Sequence, residues 1–138
     1  MGLDQMAYKI KRGIINEEVP CNKKTNGLAR RSPDLRRSGI GGFEEIGSWR
    51  KHYELDDWMT DLYWKKGGKG NDGMFNCCWM KLNLEDLDEL ESFVFMGEIL
   101  YNDWPSEIDA QKEYDLNFIK KAKKIIEDGF DVFYSNWW

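Results

Sequence analysis

Histidine occurs once in this chain, at His52, and cysteine three times, at Cys21, Cys77 and Cys78. No Cys-x-x-Cys pair exists, and adjacent cysteines on a strand point to opposite sides. At most one of Cys77 and Cys78 could therefore join His52, so no metal site is expected and buried strand cysteines are the better reading. Three is also an odd number and two of the three are neighbours, so a disulfide framework is not expected. There is no Gly-x-Ser-x-Gly elbow for an activated serine, and no Gly-Lys-Ser/Thr ending for a phosphate loop. Apolar runs are only a few residues long, and the start lacks the apolar core of a signal peptide. A bilayer-spanning helix is thus excluded and a cytoplasmic location is the default.

Aromatic residues are abundant instead, with seven Trp, six Tyr and seven Phe among 138 residues. That exceeds what one small core usually needs, so some should line a pocket or an interface, Trp137 and Trp138 first. The length fits one domain, residues 1–138. The net charge of −5 hides an asymmetry: residues 1–50 sum to +4 and residues 51–138 to −9. Lys23, Lys24, Arg30, Arg31, Arg36 and Arg37 concentrate the positive part. Such a segment suits a nucleic acid or an acidic partner patch. No aromatic residue lies between Tyr8 and Phe43 to stack on bases, so nucleic acid is not expected and a solvated loop is preferred.

The pattern along the chain predicts an α+β fold. Residues 3–12 read as a strand, with Met6, Tyr8 and Ile10 on the buried face and Gln5, Ala7 and Lys9 on the wetter one. Residues 15–42, with Pro20, Pro33, Asn26-Gly27 and the glycines at 39, 41 and 42, read as a long basic loop or insertion. A helix is expected at about 48–63, a strand over Met74 to Leu82, and an Asn83-capped helix at 84–94 whose Glu85, Asp86, Asp88 and Glu89 stay wet. Phe95 to Tyr101 is a candidate short strand. A helix opened by Ser106 and Asp109 should bury Phe118, Ile119, Ala122, Ile125 and Ile126 and stop at Gly129. Phe130 to Trp138 closes as a strand with Phe130, Val132, Tyr134 and Trp138 on one face. About three main helices on a small, mostly antiparallel sheet result.

The expected 48–63 helix carries the sharpest chemistry. Ser48 suits an N-cap, and Leu55, Trp58, Met59 and Leu62 follow at core spacing. Trp49, Arg50, Lys51 and His52 would then crowd the end where peptide dipoles favour an anion. Arg50 and Lys51 would neutralise a phosphate or carboxylate and Trp49 would stack, with Tyr8 and Tyr134 as further candidates. The plainer alternative makes Trp49 a core residue and the cations a solvated face.

Met1-Gly2-Leu3-Asp4, Met6 and Tyr8, then Glu45-Ile46-Gly47 with Trp49-Arg50-Lys51 and Trp58, resemble a family of small uncharacterised proteins of bacteriophages and related bacterial genomes. Asn76-Cys77 is similar to that family's mid-chain Asn-Cys element, and Phe133-Tyr134-Ser135 with Trp137 to its aromatic-Ser-Trp ending. The family's helix continues with Asn and then Ile-His; here Tyr53 and Leu55-Asp56 stand in those places. An acid–base role of that imidazole would not carry over to Asp56. The resemblance implies a phage setting and no reaction.

The functional expectation is a binding protein without catalytic residues or cofactor. It would hold a small anionic, nucleotide-related ligand, in a phage context an immune signal, and form a homo-oligomer in the host cytoplasm. A module that inhibits a host protein is the alternative, and a small hydrolase or transferase using His52, Asp56 or Asp57 is the second.

Overall fold

Alternation in the first strand sets the architecture. In β1 (Asp4–Lys11), successive side chains leave on opposite faces. Gln5 and Ala7 face the helices, while Tyr8 and Ile10 face away from them. The computed structural model describes residues 2–13, 15, 18, 19, 44–70, 72–76, 78–96 and 105–138, with side chains of the last stretch from residue 109 onward. After β1 come β2 (Glu44–Arg50), α1 (Tyr53–Lys65), β3 (Trp79–Leu82), α2 (Leu84–Phe95), α3 (Pro105–Glu127) and β4 (Phe130–Trp137). The strands form one antiparallel sheet in the order β2-β1-β4-β3. Three helices on an antiparallel sheet make this an α+β protein, as the pattern predicts. The 15–42 segment, apart from residues 15, 18 and 19, and the candidate strand beyond Met96 lie outside the described residues.

The sheet is buried on both faces. Ala7, Ile46, Trp49, Met80, Leu82, Val132 and Tyr134 meet Leu55, Met59, Leu62, Leu87, Leu90, Val94, Phe118 and Ile119 in the main core. Tyr8, Ile10, Trp79 and Phe133 form a second cluster on the other side, with Tyr8 stacked on Trp79 at 5.1 Å. Gln5 therefore lies on a buried face and is itself fully buried, which corrects its assignment to the wetter one.

The expected 48–63 helix is split. Residues 44–50 pair with β1, from Lys9↔Glu44 to Asp4↔Arg50, with a register shift at Ala7/Tyr8. Ser48 is thus a strand residue and caps nothing. Gly47 suits this strand because a Cβ there would come within 2.9 Å of Phe118. The chain breaks at Lys51, whose φ of 57° lies in the left-handed region, and the helix begins at Tyr53 behind His52. Sequence spacing missed this break because Leu55, Met59 and Leu62 are buried with either helix start.

Three smaller outcomes follow. The Asn83 cap forms with Asp86 as a reciprocal capping box, but Asp86 is buried and paired with Lys66 rather than wet. Most of the expected 74–82 strand is not a strand, and only Trp79–Leu82 pairs with β4. Cys78 is fully buried, as expected, but disulfide-bonded, which was not expected; its partner is not among the described residues. An odd cysteine count leaves room for one bridge.

Candidate functional site

Polar residues that are individually unremarkable in sequence converge where β1, β4, α1 and α3 meet. Gln5 is the hub. Its amide accepts the His52 backbone N–H at 2.9 Å, and donates to the His52 carbonyl at 3.1 Å and to the Tyr134 hydroxyl at 2.9 Å. The Tyr134 hydroxyl donates onward to Asp56 Oδ1 at 2.8 Å, and Asn136 Nδ2 donates to the same oxygen at 2.8 Å. The register explains the convergence: Gln5 sits opposite Asn136, beside Ala7 opposite Tyr134, and Asp56 is one helical turn beyond His52. Burial raises the Asp56 carboxyl above its usual range, and neighbouring Asp57 adds to this; the bonds from Asn136 and Tyr134 pull the other way. Burial, with the Asp56 charge, pushes the Tyr134 phenol well above its usual range.

A second network fixes the other side of the hub. Asp115 is buried; its Oδ1 accepts Trp49 Nε1–H at 2.8 Å and Gln111 Nε2–H at 3.0 Å, and its Oδ2 meets His52 Nε2 at 2.8 Å. Both side chains of the His52–Asp115 pair are nearly inaccessible, at 6% and 3%. An imidazole held by a carboxylate has the form of a catalytic dyad, but a base must reach the proton it takes. This pair holds α3 to the β2–α1 junction.

Asp56 lines a cleft of about 230 Å³ together with Leu3, Tyr53 and Trp138. Tyr53 and Trp138 are well exposed, yet Trp138 is pinned. Its backbone N–H and carbonyl bond the Asn76 side chain at 3.1 and 2.9 Å, and its indole N–H donates to the Phe75 carbonyl at 3.3 Å. Arg50 and Lys51 are exposed and lie beside Gly2, where a Cβ would be 3.7 Å from Arg50 Nη2 and 3.6 Å from Lys51 Cε. Gly2 precedes the cleft residue Leu3, whose carbonyl accepts the Lys51 N–H at 2.9 Å.

The six residues singled out in the sequence are therefore dispersed. Arg50 and Lys51 stand at the surface beside Gly2, the residue before Leu3. Trp49 and His52 are buried in the Asp115 network, Trp49 edge-on to Phe118 at 4.8 Å. Tyr134 supports Asp56 from below. Tyr8 sits on the opposite face of the sheet and shares no site with Tyr134. The helix-start anion site does not form, since the Lys51 and His52 N–H groups are spent on Leu3 and Gln5 and the first helical turn carries Glu54 and Asp56. Sequence reading passed over Gln5, Asp115 and Asn136 as site residues, whereas Trp138 was among its first candidates for a pocket or interface. Asp115 was legible: it precedes Phe118, Ile119 and Ala122 on the same apolar stripe of α3, where a carboxylate needs partners.

Among the described residues no group of three or more His, Cys, Asp and Glu is placed to hold a metal ion. No helix among them is long and apolar enough to cross a membrane. No protein-family model, curated protein or solved structure matches the chain.

Proposed function

We propose that this protein binds a small nucleotide-related ligand and holds it without turning it over. The ring of the ligand would enter between Tyr53 and Trp138 against Asp56, and its phosphate would face Arg50 and Lys51. The observation that carries this reading is an exposed tryptophan, its backbone anchored by Asn76 and its indole N–H by the Phe75 carbonyl, beside a half-buried carboxylate. Exposed aromatic side chains ordinarily keep their rotamer freedom; one fixed in advance lowers the entropy lost when a ring stacks on it. A cleft of about 230 Å³ is below the roughly 300–1,000 Å³ of drug-sized sites, and suits one ring with its substituents. The nearby guanidinium is a natural phosphate partner. Burial of the only imidazole supports holding over conversion, and the phage setting implied by the resemblance fits sequestration of a nucleotide signal.

A protein partner is the second reading, favoured by Phe95 and Met96, which stand 71% and 72% exposed at the end of α2. Contact with a host protein, or with a second copy of this chain, would cover them.

Titration with AMP, followed by calorimetry and tryptophan fluorescence, tests the first reading. Saturable heat with quenching is expected, and chromatography should return the nucleotide unchanged. Arg50→Ala should weaken binding while shifting stability by no more than about 0.5 kcal/mol, as surface changes do. Absence of heat and of quenching with every common nucleoside monophosphate would sink this reading in favour of a protein partner.

A further inference from the structure

Asp56 carries the only side-chain carboxylate among the described residues lining the cleft, and its two oxygens are not equivalent. Oδ1 accepts from both Tyr134 and Asn136, which occupy its two lone-pair directions. Neither donor is free to change role. The Tyr134 oxygen already accepts from Gln5, so its own proton goes to Asp56. Asn136 is 1% exposed and gives its Nδ2–H to Asp56, while its Oδ1 has no hydrogen-bond partner among the described residues. Turning that amide over would aim its oxygen at the carboxylate oxygen. The fold thus leaves a buried acceptor unpaired and keeps the donor on Asp56 Oδ1. The carboxylate is clamped through one oxygen, and Oδ2 is the oxygen left for a ligand.

We infer that Asp56 is the specificity-determining residue of the cleft and selects ligands whose ring carries an exocyclic amino group, which donates to Oδ2 between Tyr53 and Trp138. This rests on the small-ligand reading above and adds the class of ring. An ionised carboxylate only accepts, so a ring without the amine leaves a desolvated charge unpaired in the cleft. Sites built around such a bond discriminate strongly against analogues that lack it. Aromatic walls on both sides also favour a ring whose amine nitrogen carries partial positive charge.

The test uses two ligand pairs differing only in that amine: AMP against purine riboside 5′-monophosphate, and CMP against its analogue lacking the 4-amino group. Calorimetry on the wild-type protein should show each amino member binding at least about tenfold tighter than its partner, the equivalent of one charged hydrogen bond at a half-exposed site. In Asp56→Asn the new amide oxygen keeps the Tyr134 and Asn136 bonds, so its nitrogen replaces Oδ2 and the preference should vanish. Circular dichroism confirms that this isosteric variant is folded. Equal affinities within both pairs in the wild-type protein would overturn the inference and leave the binding reading standing. No binding by any of the four nucleotides would overturn both. A preference that persists in Asp56→Asn would assign the selection to another residue and overturn it as well.

Discussion

Asp56 is kept in a state that the fold resists. Burial raises its carboxyl pKa, so the folded chain holds the proton up to a higher pH than the unfolded chain does. Ionised Asp56 therefore weakens the fold at neutral pH. That penalty fades as the pH falls through the raised folded pKa, and is gone below the unfolded value. The groups facing it are Asp57, which raises the pKa further, and Tyr134 and Asn136, whose hydrogen bonds limit the rise. Asp56→Asn should accordingly melt higher than wild type at pH 7, with the gap narrowing on acidification from neutrality. Thermal melts at a series of pH values check this. A variant less stable than wild type at pH 7 would mean that the hydrogen bonds to the charge outweigh its desolvation. Composition and charge do not mark Asp56 off from Asp57 beside it. The distinction comes from helical phase, since residue 56 turns towards Tyr134 and Asn136 on β4 and residue 57 turns to solvent.

The junction between β2 and α1 is where sequence reading of the elements failed, and the failure has a local cause. Hydrophobic spacing locates the buried stripe of α1 correctly at Leu55, Met59 and Leu62. It does not detect where a strand hands over to that helix, because Trp49 suits a buried strand position as well as a helix start. The handover is made by Lys51 at a φ of 57°, a conformation that costs a non-glycine residue about 1 kcal/mol or more. A lysine there has no backbone justification, whereas the end of its side chain, from Cε, lies beside Gly2, which precedes the cleft residue Leu3. Lys51→Gly separates the two effects. It relieves the strained backbone and should be neutral or stabilising by up to about 1 kcal/mol, since glycine adopts this region freely but adds entropy to the unfolded chain. Nucleotide affinity should fall several-fold in the same protein. Chemical denaturation and calorimetry on one sample separate stability from binding, and a variant that loses stability would show that the lysine side chain supports the fold. By contrast the Asn83 cap of α2, the buried stripes of both helices and the Gly129 stop were legible, because they are local signals; the burial of Asp86 against Lys66 was not, because a tertiary contact sets it.

At the scale of the molecule, the abundance of aromatic residues divides into two populations with opposite consequences. Trp79 is fully buried on the far face of the sheet, stacked through Tyr8 and packed on Phe133 at 5.8 Å. Trp138 is half-exposed at the cleft and held by hydrogen bonds to Asn76 and Phe75. The abundance of aromatics in the sequence pointed to Trp138 as a pocket or interface residue, but Trp79, after Cys78 in an expected strand, carried no mark of its own. What sorts them is position: Trp79 lies on the sheet face away from the described helices, and Trp138 lines the cleft with Tyr53. Trp79→Ala should therefore cost about 3–5 kcal/mol, the usual penalty for deleting a large buried ring, and at a stability of 5–15 kcal/mol that endangers folding. Trp138→Ala should cost under about 1 kcal/mol, since its hydrophobic burial is partial and its backbone bonds to Asn76 survive. The same substitution should remove most of the nucleotide-dependent fluorescence quenching and weaken AMP binding, as loss of a stacking surface commonly removes about 1–3 kcal/mol. Denaturant melts of both variants beside the AMP titration of Trp138→Ala test this division. If Trp138→Ala unfolds the protein as readily as Trp79→Ala, the exposed ring belongs to the core's support and the cleft loses its wall as a binding element. If it folds and binds AMP unchanged, the ligand does not stack there.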